Sequence, residues 1–269
     1  MDSQFDNYAF RLSEIEHHYG PHVHILSDPY LLTLLNQLCS DQTFQPRINE
    51  LVSRLYQQLL GVVIASEFPA IRTRTRSRMA QFHPDEGWIE SPGIDSTVPV
   101  VSVNLARAGT LPSHVCYSTL NYLMNPALVR QDHISIARTT NKNDEVTGSQ
   151  VSGHKIGGTI DDSLVLFPDP MGATGSTIVE TIELYKKYGK ARKFIAMHCI
   201  ITPEYIKNIH SPFPDTRIYA IRLDRGLSKA EVLRTPPGTR PEEEKGLNEK
   251  QYIVPGGGGI GEILNNSFV

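Results

Sequence analysis

From Thr97 onward the chain alternates short apolar runs, at 98–105, 134–137, 164–167, 194–201 and 218–223, with segments of helical period. The first helical segment follows Pro112 and carries Cys116, Leu120, Leu123 and Met124; others begin near Ser176 and after Pro203. Strands joined by connections of that length lie parallel, and a parallel sheet needs helices on both faces. The pattern therefore predicts an α/β fold with a parallel five-stranded core sheet flanked by helices. Ligands of such sheets bind outside the carboxyl ends of the strands, so the chemistry is expected in the loops after Leu105, Arg138, Phe167 and Leu223.

Two helices precede this core. Asp28-Pro29 followed by Leu31, Leu34, Leu35 and Leu38 reads as an N-capped amphipathic helix, and Ile48, Leu51, Val52, Leu55 and Leu59 repeat the same stripe. Between Ile71 and Phe82 the period changes to two, which places Arg72, Arg74, Arg76 and Arg78 on one face of a strand. That cationic face is either a solvated or subunit-contacting side of a β arm, where charge blocks aggregation, or an anion and effector site. The polar stretch 141–159 is long enough to act as a mobile cover. The Pro- and charge-rich stretch 229–245 reads as an exposed insertion, and the glycines of 256–261 point to close backbone approach by a ligand. The expected organisation is one domain over 1–269: N-terminal helices at 28–65, a β arm at 70–90, the core at 97–223, and an insertion with a C-terminal hood at 224–269.

Charge narrows the partners. With 26 Lys and Arg against 29 Asp and Glu, the net charge of −3 supplies no general field for nucleic acid or an anionic membrane. The arginine strand also lacks interleaved aromatics apart from Phe82. The apolar run 59–65, interrupted by Gly61, falls far short of the roughly 20 residues of a membrane span, and the acidic opening residues do not form a secretion signal. Cys39, Cys116 and Cys199 are too widely spaced for a disulfide framework or a zinc site, so a cytoplasmic address is expected. His17, His18, His22 and His24 read as surface residues.

The most informative run is Leu164-Val-Leu-Phe-Pro-Asp-Pro-Met-Gly-Ala-Thr-Gly-Ser-Thr177. A strand ends at an acid, and a turn of small and hydroxyl residues opens a helix whose free N–H groups and positive dipole end suit a phosphate. The run lacks the Gly-Lys-Ser/Thr ending of a nucleotide P-loop and the GxGxxG fingerprint. On residues alone it is also compatible with an ordinary capped strand-to-helix turn.

Asp169-Pro170-Met171-Gly172-Ala173-Thr174-Gly175-Ser176-Thr177 resembles the phosphoribosyl-diphosphate (PRPP) signature of the uracil phosphoribosyltransferase family. Arg107-Ala108-Gly109 and Gly246-Leu-Asn-Glu-Lys-Gln-Tyr-Ile-Val-Pro-Gly256 match in the family's order, extending the resemblance over about 28–262. The resemblance implies a type I phosphoribosyltransferase fold. It also implies transfer of a 5-phosphoribosyl group from PRPP to N1 of uracil, giving UMP and diphosphate, with Mg2+ bound through PRPP rather than directly by the protein. On that basis Thr174, Gly175, Ser176 and Thr177 cradle the 5-phosphate, Asp169 accepts from the ribose hydroxyls, and Arg107 neutralises the departing diphosphate. Arg138 or Lys142 supplies a second cation. Main-chain groups of Ile253, Gly258, Gly259 and Ile260 read uracil. The family's association into dimers or higher assemblies, and activation of some relatives by GTP, complete the implied partners.

Two departures stand out. Where the family has Pro-Gly-Leu-Gly-Asp-Ala-Gly-Asp this chain has Pro255-Gly-Gly-Gly-Gly-Ile-Gly-Glu262, so the Asp expected to help hold PRPP and metal is Gly259. Glu262, or an acid among Glu242, Glu243 and Glu244, is available to substitute. The Asp-x-Gly-Leu-Asn element is also split, between Asp224-Arg-Gly-Leu-Ser228 and Gly246-Leu-Asn248, which would reshape the base pocket. A non-catalytic nucleotide- or PRPP-binding protein, or an enzyme for another base, is the alternative expectation.

Overall fold

The computed structural model describes residues 9–140 and 146–267. A short strand β1 (Val23–Ile25) precedes helices α1 (Pro29–Leu38) and α2 (Arg47–Glu67) and an arm of β2 (Ala70–Arg76) and β3 (Trp88–Ile94). The core then runs β4 (Val100–Ala106), α3 (Thr110–Leu123), β5 (Val129–Thr140), β6 (Val146–Lys155), β7 (Leu164–Pro168), β8 (Met171–Gly172), α4 (Ser176–Tyr185), β9 (Lys193–Ile201), α5 (Pro203–His210) and β10 (Arg217–Leu223). Two short helices, α6 (Ala230–Leu233) and α7 (Ile260–Asn265), follow.

The main sheet has the order β1-β10-β9-β7-β4-β5-β6, with β8 beside β9. All five strands expected from the apolar runs are present and mutually parallel. Their continuous hydrophobicity follows from burial on both faces: Leu164 and Leu166 pack with α1, α2 and α3, while Val165 and Phe167 pack with α4 and α5. The N-cap of α1 is as expected, with Asp28 accepting from the backbone of Tyr30 and Leu31 at 2.8 and 3.1 Å. The buried Tyr56 hydroxyl of α2 donates to the Met197 carbonyl at 3.0 Å and pins that helix onto β9.

Two expectations are corrected. Much of 141–159 is not a cover: Val146–Lys155 is strand β6, antiparallel to β5 with His133 opposite Lys155 and Thr140 opposite Val146. It reads as polar because it is the sheet's outer edge and its 152–155 stretch is exposed. The arginine alternation ends at Arg76, since Arg78 lies in a 3₁₀ turn at Arg78–Gln81 capped by Ser77. Within the arm, Arg72 and Arg74 both reach Glu90 across the strand pair at 3.2 Å, and Arg74 also stacks over Trp88 at 4.2 Å.

The stretch 229–245 is mostly exposed, as expected, and it is also firmly anchored. Val232 is fully buried, and the Glu244 carboxylate is enclosed, paired with Arg225 at 2.8 Å. Glu244 also accepts from the Tyr19 hydroxyl and from the Gly238 N–H, while Arg225 donates to the Val232 and Thr235 carbonyls. Removing one member of a buried pair strands the other charge, at about 3–5 kcal/mol; exposed pairs are worth about 1 kcal/mol or less. Glu244→Ala is therefore expected to lower the urea midpoint by several times the shift caused by Arg74→Ala, with the m-value unchanged in both.

Candidate functional site

The carboxyl ends of β4 and β7, the start of α4 and the C-terminal loop enclose a cavity of about 500 Å³. Strand β7 delivers Asp169 to its floor. The Asp169 N–H donates to the Met197 carbonyl at 3.1 Å, and the Met171 N–H donates to the Asp169 carboxylate. The Asp169 carbonyl accepts from Nδ1 of the fully buried His198 at 2.5 Å, which leaves Nε2 to accept from the Tyr205 hydroxyl. Burial pushes His198 down to about 4 against the opposing effect of the Asp169 carbonyl. The ring is neutral near pH 7, the form that donates through one nitrogen and accepts through the other.

Beyond Asp169 the chain makes the two-residue strand β8 against β9 and turns into α4. Gly175 is required twice over. Its φ is +81°, and a Cβ there would lie 3.1 Å from Ile209 and 3.2 Å from the Tyr205 carbonyl, so only a glycine lets the turn seat on α5. Thr174 and Ser176 share a hydroxyl hydrogen bond of 2.9 Å, and Asn208 of α5 holds the Thr174 carbonyl at 2.7 Å. The far end of α4 is tied to β5 by Tyr185 donating to the buried Asp132 at 2.8 Å. The helix thus presents its first-turn N–H groups, which have no intrahelical acceptor, to the cavity.

Arg107 follows β4, and Gly109 behind it is crowded: a Cβ would lie 2.8 Å from the Leu105 carbonyl and 3.1 Å from that of Pro168. The Arg107 guanidinium reaches across the cavity mouth to Ser267, bonding its hydroxyl at 2.8 Å and its carbonyl at 3.1 Å.

The hood is assembled from the split element. Leu227 N–H bonds the Lys245 carbonyl, Gly226 N–H bonds Val254, and Val254 N–H bonds Gly246, all at 2.8–3.0 Å. The two halves meet, the intervening residues loop out from their junction, and the expected reshaping does not arise from a separation of the halves. Glu204 accepts from the Gly246 and Leu247 N–H groups at 2.9 and 3.1 Å. Arg222 grips Asp224 in bidentate fashion at 2.6 and 2.9 Å, and Asp224 in turn accepts from the Gly256 N–H at 2.7 Å. Gly256 has φ +62°, and a Cβ would lie 2.2 Å from the Ile253 carbonyl.

The cavity brings together Arg107, Asp169, Met171, Ala173, Thr174, Gly175, Ser176 and Thr177 with Ile253, Gly258, Gly259 and Ile260. Pro170 and Gly172 instead build the turn from behind; the Pro170 carbonyl accepts from Cys199 and Ile200. Arg138 has its backbone on β5, paired with Ser149, and Lys142 lies outside the described residues. Tyr205, Gln251, Tyr252 and Glu262 also line the cavity, and Arg222 and Glu204 support it. Their polar contacts cross 34 to 43 residues of sequence, so no local motif marks them. Among the described residues, no group of three or more His, Cys, Asp or Glu side chains is disposed to hold a metal ion, and no helix is long and apolar enough to cross a membrane.

A family model described as uracil phosphoribosyltransferase matches residues 25–239. The chain belongs to the uracil phosphoribosyltransferase family. Uracil phosphoribosyltransferases of Thermococcus sibiricus and Pyrococcus furiosus are 34% and 32% identical to it over 101 residues, 38% of this chain and 35% of each relative. The aligned segment thus spans about a third of the length of the curated relatives it matches. The solved structure of AQ2163 protein from Aquifex aeolicus superposes with a TM-score of 0.67 at 20% identity, covering 90% of this chain and 97% of that one. The fold is shared over nearly the whole of both.

Asp169 retains some access to the cavity but is packed round with protein atoms, and burial raises its carboxyl from 3.8 to about 7 against the Met171 hydrogen bond. The folded state therefore holds a proton that the unfolded chain releases at lower pH. The stability this confers is complete below the ordinary carboxylate value and is lost as pH rises through 7. Asp169→Asn, neutral at every pH, is expected to melt at nearly the wild-type temperature near pH 4. Its advantage grows towards pH 7 and stays level above it, as calorimetry across that range checks.

Proposed function

We propose that this chain is a PRPP-dependent uracil phosphoribosyltransferase that joins uracil and PRPP to give UMP and diphosphate. The observation that carries the reading is the placement of three kinds of group around one cavity: the open first turn of α4 with Asp169, the Arg107 cation, and the glycine-rich hood. An anion-binding turn, a hydroxyl acceptor, a diphosphate-neutralising cation and a wall of peptide groups are the parts this transfer needs.

In this reading the 5-phosphate sits on the N–H and hydroxyl groups of Thr174, Gly175, Ser176 and Thr177, where the helix dipole favours negative charge. Asp169 accepts from the ribose hydroxyls. N1 of uracil forms its bond to C1 of the ribose as the bond to the diphosphate oxygen breaks; the diphosphate leaves with the electron pair, and the N1 proton passes to it. Arg107 stabilises the charge that develops on that oxygen. To do so its guanidinium exchanges Ser267 for the diphosphate. Peptide groups of Ile253, Gly258, Gly259 and Ile260 face the base edge, whose carbonyls and N3–H match backbone donors and acceptors.

Mg2+ would be carried by PRPP, and the cavity's two acids, Asp169 and Glu262, are the oxygen groups that would face its hydrated surface. Bound with PRPP, Mg2+ neutralises the diphosphate.

Purified protein is expected to form UMP from uracil, PRPP and Mg2+. Arg107→Gln lowers kcat by about 10²–10³-fold, the usual cost of losing one preorganised group on a developing charge, with the melting temperature little changed. Folded wild-type protein that forms no UMP overturns the reading, and product from another base in a competition assay reassigns the acceptor. Gly259 favours a second reading, a nucleotide- or PRPP-binding protein without turnover, which predicts binding of UMP or PRPP in that same inactive sample.

A further inference from the structure

The turn between Asp169 and α4 is held by its carbonyls. Each one from Asp169 to Thr174 has a donor, and except at Met171 that donor comes from β9, from α5 or from Thr202 between them. Backbone N–H groups hold Pro170 and Gly172. Side chains hold three others: His198 bonds the Asp169 carbonyl at 2.5 Å, the Thr202 hydroxyl bonds that of Ala173 at 2.7 Å, and Asn208 Nδ2 bonds that of Thr174 at 2.7 Å.

Two of these side chains set what the turn shows to a ligand. A trans peptide is planar, so the N–H of one residue points opposite to the carbonyl of the residue before it. The 173–174 and 174–175 peptides are both trans. Drawing the Ala173 carbonyl back onto Thr202 therefore turns the Thr174 N–H forward, and drawing the Thr174 carbonyl onto Asn208 does the same for Gly175. Neither N–H has an acceptor among the described residues, and Thr174 and Gly175 both line the cavity. The same pull takes two negative oxygens away from the place where an anion would sit.

The hydroxyl of Thr202 does more than cap a helix. It accepts from the Tyr205 N–H at 3.0 Å at the start of α5, a task that any short polar acceptor performs. Holding Ala173 needs a donor as well. A hydroxyl has one proton, and in the fully buried Thr202 that proton is committed to the Ala173 carbonyl. Asn208 makes its bond from the exposed side of α5.

We propose that Thr202 and Asn208 are positioning residues for the phosphate of the sugar substrate: by holding the Ala173 and Thr174 carbonyls from behind, they aim the Thr174 and Gly175 N–H groups at the 5-phosphate. This deepens the reading of the cavity as a PRPP site and rests on it. Their influence is confined to the phosphate end, because the hood and Arg107 are held by other contacts. The 5-phosphate does not react, so its contacts are alike in the ground and transition states, and weakening them raises KM while leaving kcat.

The test is calorimetric titration of ribose 5-phosphate and of PRPP into wild type, Thr202→Val, Thr202→Ser and Asn208→Ala, beside melting temperatures and the KM and kcat of UMP formation. Thr202→Val keeps the shape without the hydroxyl, Thr202→Ser keeps the hydroxyl, and Asn208→Ala alters an exposed residue. Thr202→Val and Asn208→Ala are each expected to weaken both phosphate ligands about 3- to 10-fold, the scale of one hydrogen bond. The KM for PRPP rises in parallel, with kcat and the KM for uracil little changed. Thr202→Ser is expected to bind as wild type does. A residue that only stabilised the fold would lower the melting temperature and leave these affinities alone; Asn208→Ala is expected to do the reverse.

Asn208→Ala that binds ribose 5-phosphate and PRPP as tightly as wild type overturns the proposal. A loss in Thr202→Val that Thr202→Ser shares, or one that falls equally on uracil, overturns it too. Wild type that binds both phosphate ligands but forms no UMP overturns the uracil reading, and the two titrations then decide the proposal by themselves. Wild type that binds neither ligand overturns both.

Discussion

The Met197 carbonyl on β9 accepts from two donors, the Tyr56 hydroxyl of α2 on one side and the Asp169 N–H on the other. One residue further, His198 donates to the Asp169 carbonyl and is itself held by Tyr205 of α5. The end of β7 is therefore fixed by hydrogen bonds from both helical layers, with all of these groups away from water, where an unmade bond is costly. Everything at the site follows from where that strand stops. The turn into α4 starts from it, Gly175 seats the turn on α5, and Gly109 lets the β4 loop approach Pro168 closely enough for Arg107 to face the same cavity.

The opposite wall depends on charge pairs rather than on strand register. Asp224 at the end of β10 is clamped by Arg222 and holds the Gly256 N–H, and Glu204 at the start of α5 holds Gly246 and Leu247. These carboxylates hold the hood by its backbone, so the loop's glycines are free to present peptide groups to a ligand. The same arrangement explains why the insertion is tolerated. Its ends are stitched together by Leu227 with Lys245 and Gly226 with Val254, and its interior is stapled by Glu244 and Arg225. Chain can be added at such a junction without moving what lies on either side of it.

The site carries a stability cost at Asp169, whose charged form is disfavoured where it sits because burial raises its carboxyl to about 7. The cost is set by the packing around the end of β7, and Asp169 still lines the cavity.

Much of the architecture was legible because it rests on local rules. Strands buried on both faces must be continuously apolar, so 98–105, 164–167, 194–201 and 218–223 announced the sheet, and Asp28-Pro29 announced α1. The tight turn into α4 was legible for the same reason, since an apolar strand followed by an acid and a run of small and hydroxyl residues favours a close strand-to-helix connection. β6 was not legible, because an outer edge strand is made polar to prevent further pairing and so resembles a loop. Arg78 was misplaced because alternation does not reveal where a strand ends and a capped turn begins. Glu262 was visible only as one of several acids that could stand in for the residue absent at 259. Sequence alone determined the five parallel core strands with their helices, the strand-to-helix turn after Asp169 and the family. Only the tertiary structure decided which acid enters the cavity, how the split hood closes and what holds Arg107, because these depend on contacts between residues far apart in the chain.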